Sequence, residues 1–225
     1  MNRVFCLLFG SEAIMWVGVN ASVFNLVFIA IERFIVTRFS LWHRNHYKPW
    51  FGYAIVVFIW LDGLITNVPT TYVSADFSDY TCSPFTMWPT KAAGTAFISY
   101  YILSVYVIPL IVFVFCYTNI ILVVRGNSKI HATSGQTGHS DTNHNDKNQI
   151  NIMKTMMIIT VTFTVLWLPS ELYFIMINAE CCGFSMLTKE WNLVLLFGFA
   201  TSCINPFIYG VRTGNFKSFI KTFKK

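Results

Sequence analysis

The sequence predicts an all-α membrane protein: five transmembrane helices followed by a C-terminal amphipathic helix. Three observations carry that expectation. Hydrophobic residues make up 55% of the 225 and charged residues only 12%, against about a quarter charged in ordinary soluble domains. The apolar residues are gathered into five runs, each about as long as a helix needs to cross a hydrocarbon core. The basic residues between the runs also segregate by side. Of the 16 lysines and arginines, Arg33, Arg38, Arg44, Lys48, Arg125, Lys129, Lys147, Lys154, Arg212, Lys217, Lys221, Lys224 and Lys225 fall on one face, and Arg3, Lys91 and Lys189 on the other. The rich face is cytoplasmic by the positive-inside rule, which places the C-terminus inside.

The first span covers about 8–34. Ala13 to Ile31 is nineteen residues without a charge or a proline, and it closes on Glu32-Arg33-Phe34. At ~1.5 Å per residue, Cys6 and Arg33 stand roughly 40 Å apart, matching the two headgroup faces of a bilayer. A basic, aromatic link leads to the second span, 50–68, which Pro69 is expected to close. Thr70 to about Thr95 reads as a polar loop. The third span, 96–124, holds one proline, Pro109. Residues 126–149, rich in Gly, Ser, Thr, Asn and His, are expected as a mobile cytoplasmic loop, because so few apolar groups cannot offset the entropy of ordering it. The fourth span, 150–178, contains Pro169, and the fifth, 191–211, contains Pro206. In the tail, Phe216, Phe219, Ile220 and Phe223 recur at helical spacing among lysines. That pattern predicts an amphipathic helix over 213–224 lying on an anionic leaflet.

Other classes of function fit poorly. The net charge of +6 is spread over short connections instead of forming a basic aromatic patch, so no nucleic-acid partner is expected. His43 and His46, with His131, His139 and His144, are the residues a membrane metalloenzyme would use. The last three lie in the low-complexity loop, without paired carboxylates on rigid elements; neither metal nor cofactor is expected, and that enzyme stays a remote alternative. An intramembrane protease would need paired aspartates, and Asp62 stands alone; it is expected to face another helix and find a hydrogen-bond partner there. Five unrelated spans also lack the repeated halves of a transporter. Cys6, Cys82, Cys181 and Cys182 face the oxidising side, where three pairings are open. Cys116 and Cys203 lie within spans and read as packing residues. No cleavable leader is visible before the first span, and Asn20-Ala21-Ser22, an acceptor pattern for glycosylation, falls inside it.

Taken in order, the motifs resemble the rhodopsin-like (class A) G-protein-coupled receptor family from its third helix to its eighth. Glu32-Arg33-Phe34 resembles the acidic-Arg-aromatic triplet at the inner end of the third helix. Trp60 and Pro69 resemble marks of the fourth helix, and Pro109 with Tyr117 those of the fifth. Phe163, Trp167 and Pro169 match the sixth-helix pattern, with Leu166 where a cysteine is usual. Asn205-Pro206-Phe207-Ile208-Tyr209 matches N-P-x-x-Y of the seventh, and Phe216 fits the eighth-helix anchor. On this resemblance residues 1–225 form a single, partial seven-helix receptor domain, lacking the first two helices.

The resemblance implies a plasma-membrane receptor that is not an enzyme and that passes an extracellular ligand's signal to a heterotrimeric G protein. It also implies roles for residues. Glu32, Arg33, Pro109, Tyr117, Phe163, Trp167, Pro169, Asn205, Pro206 and Tyr209 would form the activation switch, with proline-weakened helices as pivots. Arg33 and Leu41 would meet the G protein, and Cys6 would pair with Cys82, although Cys6 lies 27 residues before Arg33 where the family has 25. Gln149 replaces the usual acidic sixth-helix partner, which implies a weaker resting lock on Arg33. Met15, where aminergic receptors carry aspartate, and Phe199, where opsins carry lysine, point away from amines and retinal. Met15, Trp16, Trp167, Glu171, Tyr173 and Phe199 would line the ligand pocket. Glu171 favours a peptide with a basic residue; its bland alternative is to snorkel to the outer face and bind nothing. A fragment unable to signal is the main alternative for the chain as a whole.

Overall fold

A computed structural model describes residues 12–74, 88–133, 140–178, 183–184 and 188–212, and every regular element among them is helical. In chain order these are α1 (Ala13–Arg38), the short α2 (Ser40–His46), α3 (Pro49–Ser74), α4 (Lys91–Tyr101), a π-helical stretch (Ile102–Val107), α5 (Ile108–Thr133), α6 (Ser140–Asn178) and α7 (Lys189–Arg212). Five segments are long and apolar enough to cross a membrane: Ala13–Arg38, Pro49–Ser74, Lys91–Gly126, Ile150–Ile177 and Lys189–Ile208. The tail helix over 213–224, the Cys6–Cys82 pairing and Cys181-Cys182 lie outside the described residues.

The helices run beyond the apolar stretches that announce them. Once a span has paid the cost of nucleation, each added residue gains a hydrogen bond for little further loss. Thus α1 continues past Arg33, with the Thr37 hydroxyl donating to the Arg33 carbonyl at 2.8 Å and the Phe39 amide closing onto Ile35 at 2.8 Å. Pro69 does not end α3. Its missing N–H is tolerated, and hydroxyls of Thr70, Thr71 and Ser74 donate to carbonyls four residues back at 2.6, 2.6 and 2.8 Å. The loop expected over 126–149 is likewise shorter, because α5 reaches Thr133 and α6 starts at Ser140.

Pro109 has a different consequence. It cannot donate to the carbonyl one turn earlier, and the turn before it widens: the Ile108 amide bonds to Leu103, five residues back. This π stretch joins α4 to α5 within one continuous span.

α1 is the central rod, packed against α3, α5, the π stretch and α6, while α6 and α7 form a second extensive pair. Two apolar cores result. The outer one gathers Trp16, Val19, Tyr101, Val105, Phe163, Trp167, Tyr173, Phe174 and Trp191. The inner one gathers Ala30, Phe113, Cys116, Tyr117, Ile120 and Met153. Outward positions are apolar too, as lipid requires: Tyr53, Phe58 and Ile65 are 76%, 70% and 72% exposed. Cys116 is buried as expected, but Cys203 is exposed and packs into neither core. Asn20 is fully buried.

α3 meets α1 through Gly63, Asn67, Thr71 and Ser74, small or polar residues one turn apart on its buried face. Small residues let backbones approach: a Cβ on Gly63 would stand 3.2 Å from the Val17 carbonyl oxygen. Gly63→Leu is therefore expected to destabilise the bundle by about 1–3 kcal/mol, read as a lower unfolding midpoint in lipid bicelles, with Gly63→Ala milder. Asp62 departs from expectation. It is partly exposed on the flank of α3 and makes no hydrogen bond or ion pair among the described residues.

Candidate ligand pocket and inner switch

The helices bring the sequence-derived pocket residues to two adjoining places. Met15 from α1, Trp167 from α6 and Phe199 from α7 line one cavity of about 450 Å³, together with Phe163 and Asn205. That volume lies within the range of small-molecule sites. Trp16 and Tyr173 do not line it; they belong to the aromatic cluster beside it. There Trp16 meets Tyr101 edge-on at 5.9 Å, Tyr101 meets Phe174 at 6.2 Å, and Tyr173 packs on Trp191 at 5.6 Å. The hydroxyls of Tyr173 and Thr188 lie 2.6 Å apart, tying α6 to the start of α7.

Trp167 links the two regions. It stacks on Phe163 at 5.8 Å, meets Phe199 edge-on at 5.7 Å, and lies against the α7 backbone, where a Cβ on Gly198 would stand 3.1 Å from its ring. Pro169 follows two residues later. The Ser170 hydroxyl donates to the Trp167 carbonyl at 2.7 Å, occupying one carbonyl of the interrupted turn.

Glu171 does not snorkel. It is 7% exposed, and its Oε2 is buried with no hydrogen-bond partner among the described residues. The Tyr101 hydroxyl, in the aromatic cluster, is likewise buried and without a hydrogen-bond partner among the described residues. A buried carboxyl group without a matching donor is costly unless something binds there.

The cavity also has a polar lining that sequence reasoning missed: Ser22, Asn25, Thr201 and Ser202, with the buried, unpartnered Oδ1 of Asn205. Ser22 and Asn25 satisfy their donors on Gly18 and Ala21, at 2.7 and 2.8 Å. A signal was present. Met15, Gly18, Ser22 and Asn25 recur every three or four residues, a small and polar stripe along an otherwise apolar span.

At the inner end, Arg33 pairs with Glu32 at 3.4 Å, and both side chains are about a quarter exposed or less (26% and 20%). A pair so placed is worth at most about 1 kcal/mol. The Arg33 Nε is buried and has no hydrogen-bond partner among the described residues, so one edge of the guanidinium fork is unused there. Tyr117 is turned away to Thr160 on α6, hydroxyl to hydroxyl at 2.9 Å. Thr37, one turn below Arg33, reaches Met153 of α6 with its hydroxyl 3.3 Å from the sulfur. The foot of α6 thus closes against α1. Leu41 on α2 stands 68% exposed beside this end. Asn205 and Pro206 sit in α7 as expected; the Tyr209 and Gln149 side chains lie outside the described ones.

Comparison with known proteins agrees with this arrangement. The model of the seven transmembrane receptor (rhodopsin) family matches residues 1–209. Melatonin receptor type 1A from Bos taurus is 27% identical, across 96% of this chain and 81% of that protein. The same receptor from Phodopus sungorus is 26% identical, across 92% of the chain and 57% of the relative. Neuropeptide Y receptor type 6 from Mus musculus is 25% identical, across 89% and 56%. The chain thus spans little more than half the length of the second and third of these. With the family motifs in register over nearly its whole length and five apolar helices built around them, this multi-pass membrane protein belongs to the rhodopsin family of seven transmembrane receptors.

Proposed function

We propose that the chain is a plasma-membrane receptor, its C-terminus cytoplasmic, that couples an extracellular ligand at Glu171 and the Trp167 cavity to a heterotrimeric G protein at Arg33 and Leu41. The observation that carries the reading is the division of the bundle. Among the described residues an outer carboxyl group lacks a partner and an inner arginine is only half-used, and α6, which carries that carboxyl group, has an internal proline and packs its foot near the arginine. Tilting α6 about Pro169 would release Met153 from Thr37 and let a G-protein segment reach the free edge of the Arg33 fork.

The ligand we infer is a peptide carrying a basic residue, which would pair with Glu171 where burial makes an unmatched carboxylate expensive. A small aromatic ligand is the second reading, favoured by the aromatic surroundings, the modest cavity and the relatives named for melatonin. Two probes separate them: a short arginine-containing peptide against its citrulline twin, and melatonin itself. On the peptide reading, citrulline or Glu171→Gln each weakens binding about 10- to 100-fold, the scale of a charged hydrogen bond, and the two losses do not add. Binding of melatonin but neither peptide, with Glu171→Gln neutral, selects the second reading.

A further inference from the structure

The structure assigns a second recognition point, independent of ligand and G protein: Asp62 on the outward flank of α3 fits a transmembrane helix of another protein that carries a basic residue near mid-membrane. Asp62 lies 13 residues from Pro49 and 12 from Ser74, roughly 20 Å along the axis from either end and so near the middle of a ~30 Å hydrocarbon core. Its single methylene cannot carry the carboxyl group to either headgroup layer, unlike the long stems of lysine or arginine.

The contrast with Glu171 is instructive. Glu171 is enclosed by the bundle, whereas Asp62 is partly exposed on its flank. The buried stripe of α3 runs Ile59, Gly63, Asn67, Thr71 and Ser74, toward α1. Asp62 instead shares its stripe with Phe58, one turn before, and Ile65, one turn after, which are 70% and 72% exposed. Asp62 has no hydrogen bond or ion pair among the described residues. A carboxyl group facing hydrocarbon is unfavourable until matched, and the neighbouring apolar pair offers a helix-sized surface to hold the match in place.

Charge complementarity selects the occupant. The described spans of a second copy do not supply the counter-charge, since they carry lysine and arginine only near their ends, at Arg33, Arg38, Lys91, Arg125, Lys154 and Lys189. The occupant we infer is a span of a different membrane protein, one that places a lysine or arginine at the depth of Asp62 and small or aliphatic residues against Phe58 and Ile65.

The test reconstitutes the full chain in nanodiscs with single-span polyleucine peptides whose central residue is Lys, Leu or Asp, and measures association by energy transfer. The Lys peptide is expected to associate about tenfold more tightly than the Leu peptide. Asp62→Leu removes that advantage, and Asp62→Lys transfers it to the Asp peptide. Equal association of Lys and Leu peptides overturns the assignment. So does a Lys preference that survives Asp62→Leu. Self-association of the chain that vanishes in Asp62→Leu would overturn it as well, by making a second copy the occupant. Asp62 is not among the buried residues of α3 that face α1, so its replacement by leucine or lysine is expected to leave that seam intact, and an unchanged unfolding midpoint checks that.

Discussion

Arg33→Ala is expected to cut guanine-nucleotide exchange on a reconstituted heterotrimeric G protein by about 10- to 100-fold, the range of a typical allosteric coupling energy. The fold should barely notice. Arg33 pairs only with its neighbour Glu32, at 3.4 Å and partly in solvent, so its loss costs at most about 1 kcal/mol of stability. Arg33→Lys sharpens the argument, since it keeps the charge and removes the planar fork. If the free edge of the guanidinium is what the G protein meets, lysine recovers little of the exchange. Glu32→Gln should move basal exchange in the opposite direction by freeing the arginine. Equal exchange by wild type and Arg33→Ala would refute the proposed coupling, and zero exchange by both would identify a chain that binds but does not signal.

Trp167→Ala is expected to give the largest loss of stability, about 3–5 kcal/mol by the measure of large-to-small core changes. The indole is 4% exposed, stacked on Phe163 and set edge-on to Phe199. It also rests on the α7 backbone at Gly198, within the most extensive helix pair of the bundle. Removing it opens a void between two rods whose association depends on packing, since lipid supplies no hydrophobic drive between them. Trp167→Phe should recover most of the loss. The unfolding midpoint in bicelles reads both variants, and a shift in Trp167→Ala no larger than in Arg33→Ala would contradict the packing described.

Much of this was legible in the sequence, because lipid makes hydropathy almost a direct readout of where a chain crosses. The five spans follow from it, as does the charged Glu32–Arg33 pair at the end of the first, while Trp167 was singled out only by the family motif around Pro169. Helix ends were less legible, for the same reason. Apolar runs record the thickness of the membrane, while a helix stops where its backbone bonds can no longer be made, as α3 shows by running through Pro69 to Ser74. The two intramembrane acids show the same limit: for Glu171 the sequence left burial and snorkelling both open, and for Asp62 the expected hydrogen-bond partner is not found among the described residues. Sequence gives their depth but not their azimuth, and azimuth decides that Glu171 lies within the bundle and Asp62 on its flank. The widened turn at Ile102–Val107 was invisible, since it arises from how the chain accommodates Pro109 while Tyr101 and Val105 stay in the core.

That widened turn means the span from Lys91 to Gly126 is two helices out of phase, sharing one axis. One surplus residue sets them off by roughly 100° of rotation. The half of the span before Pro109 therefore presents its side chains, Tyr101 and Val105 among them, at an azimuth set independently of the half that carries Phe113, Tyr117 and Ile120 into the inner core.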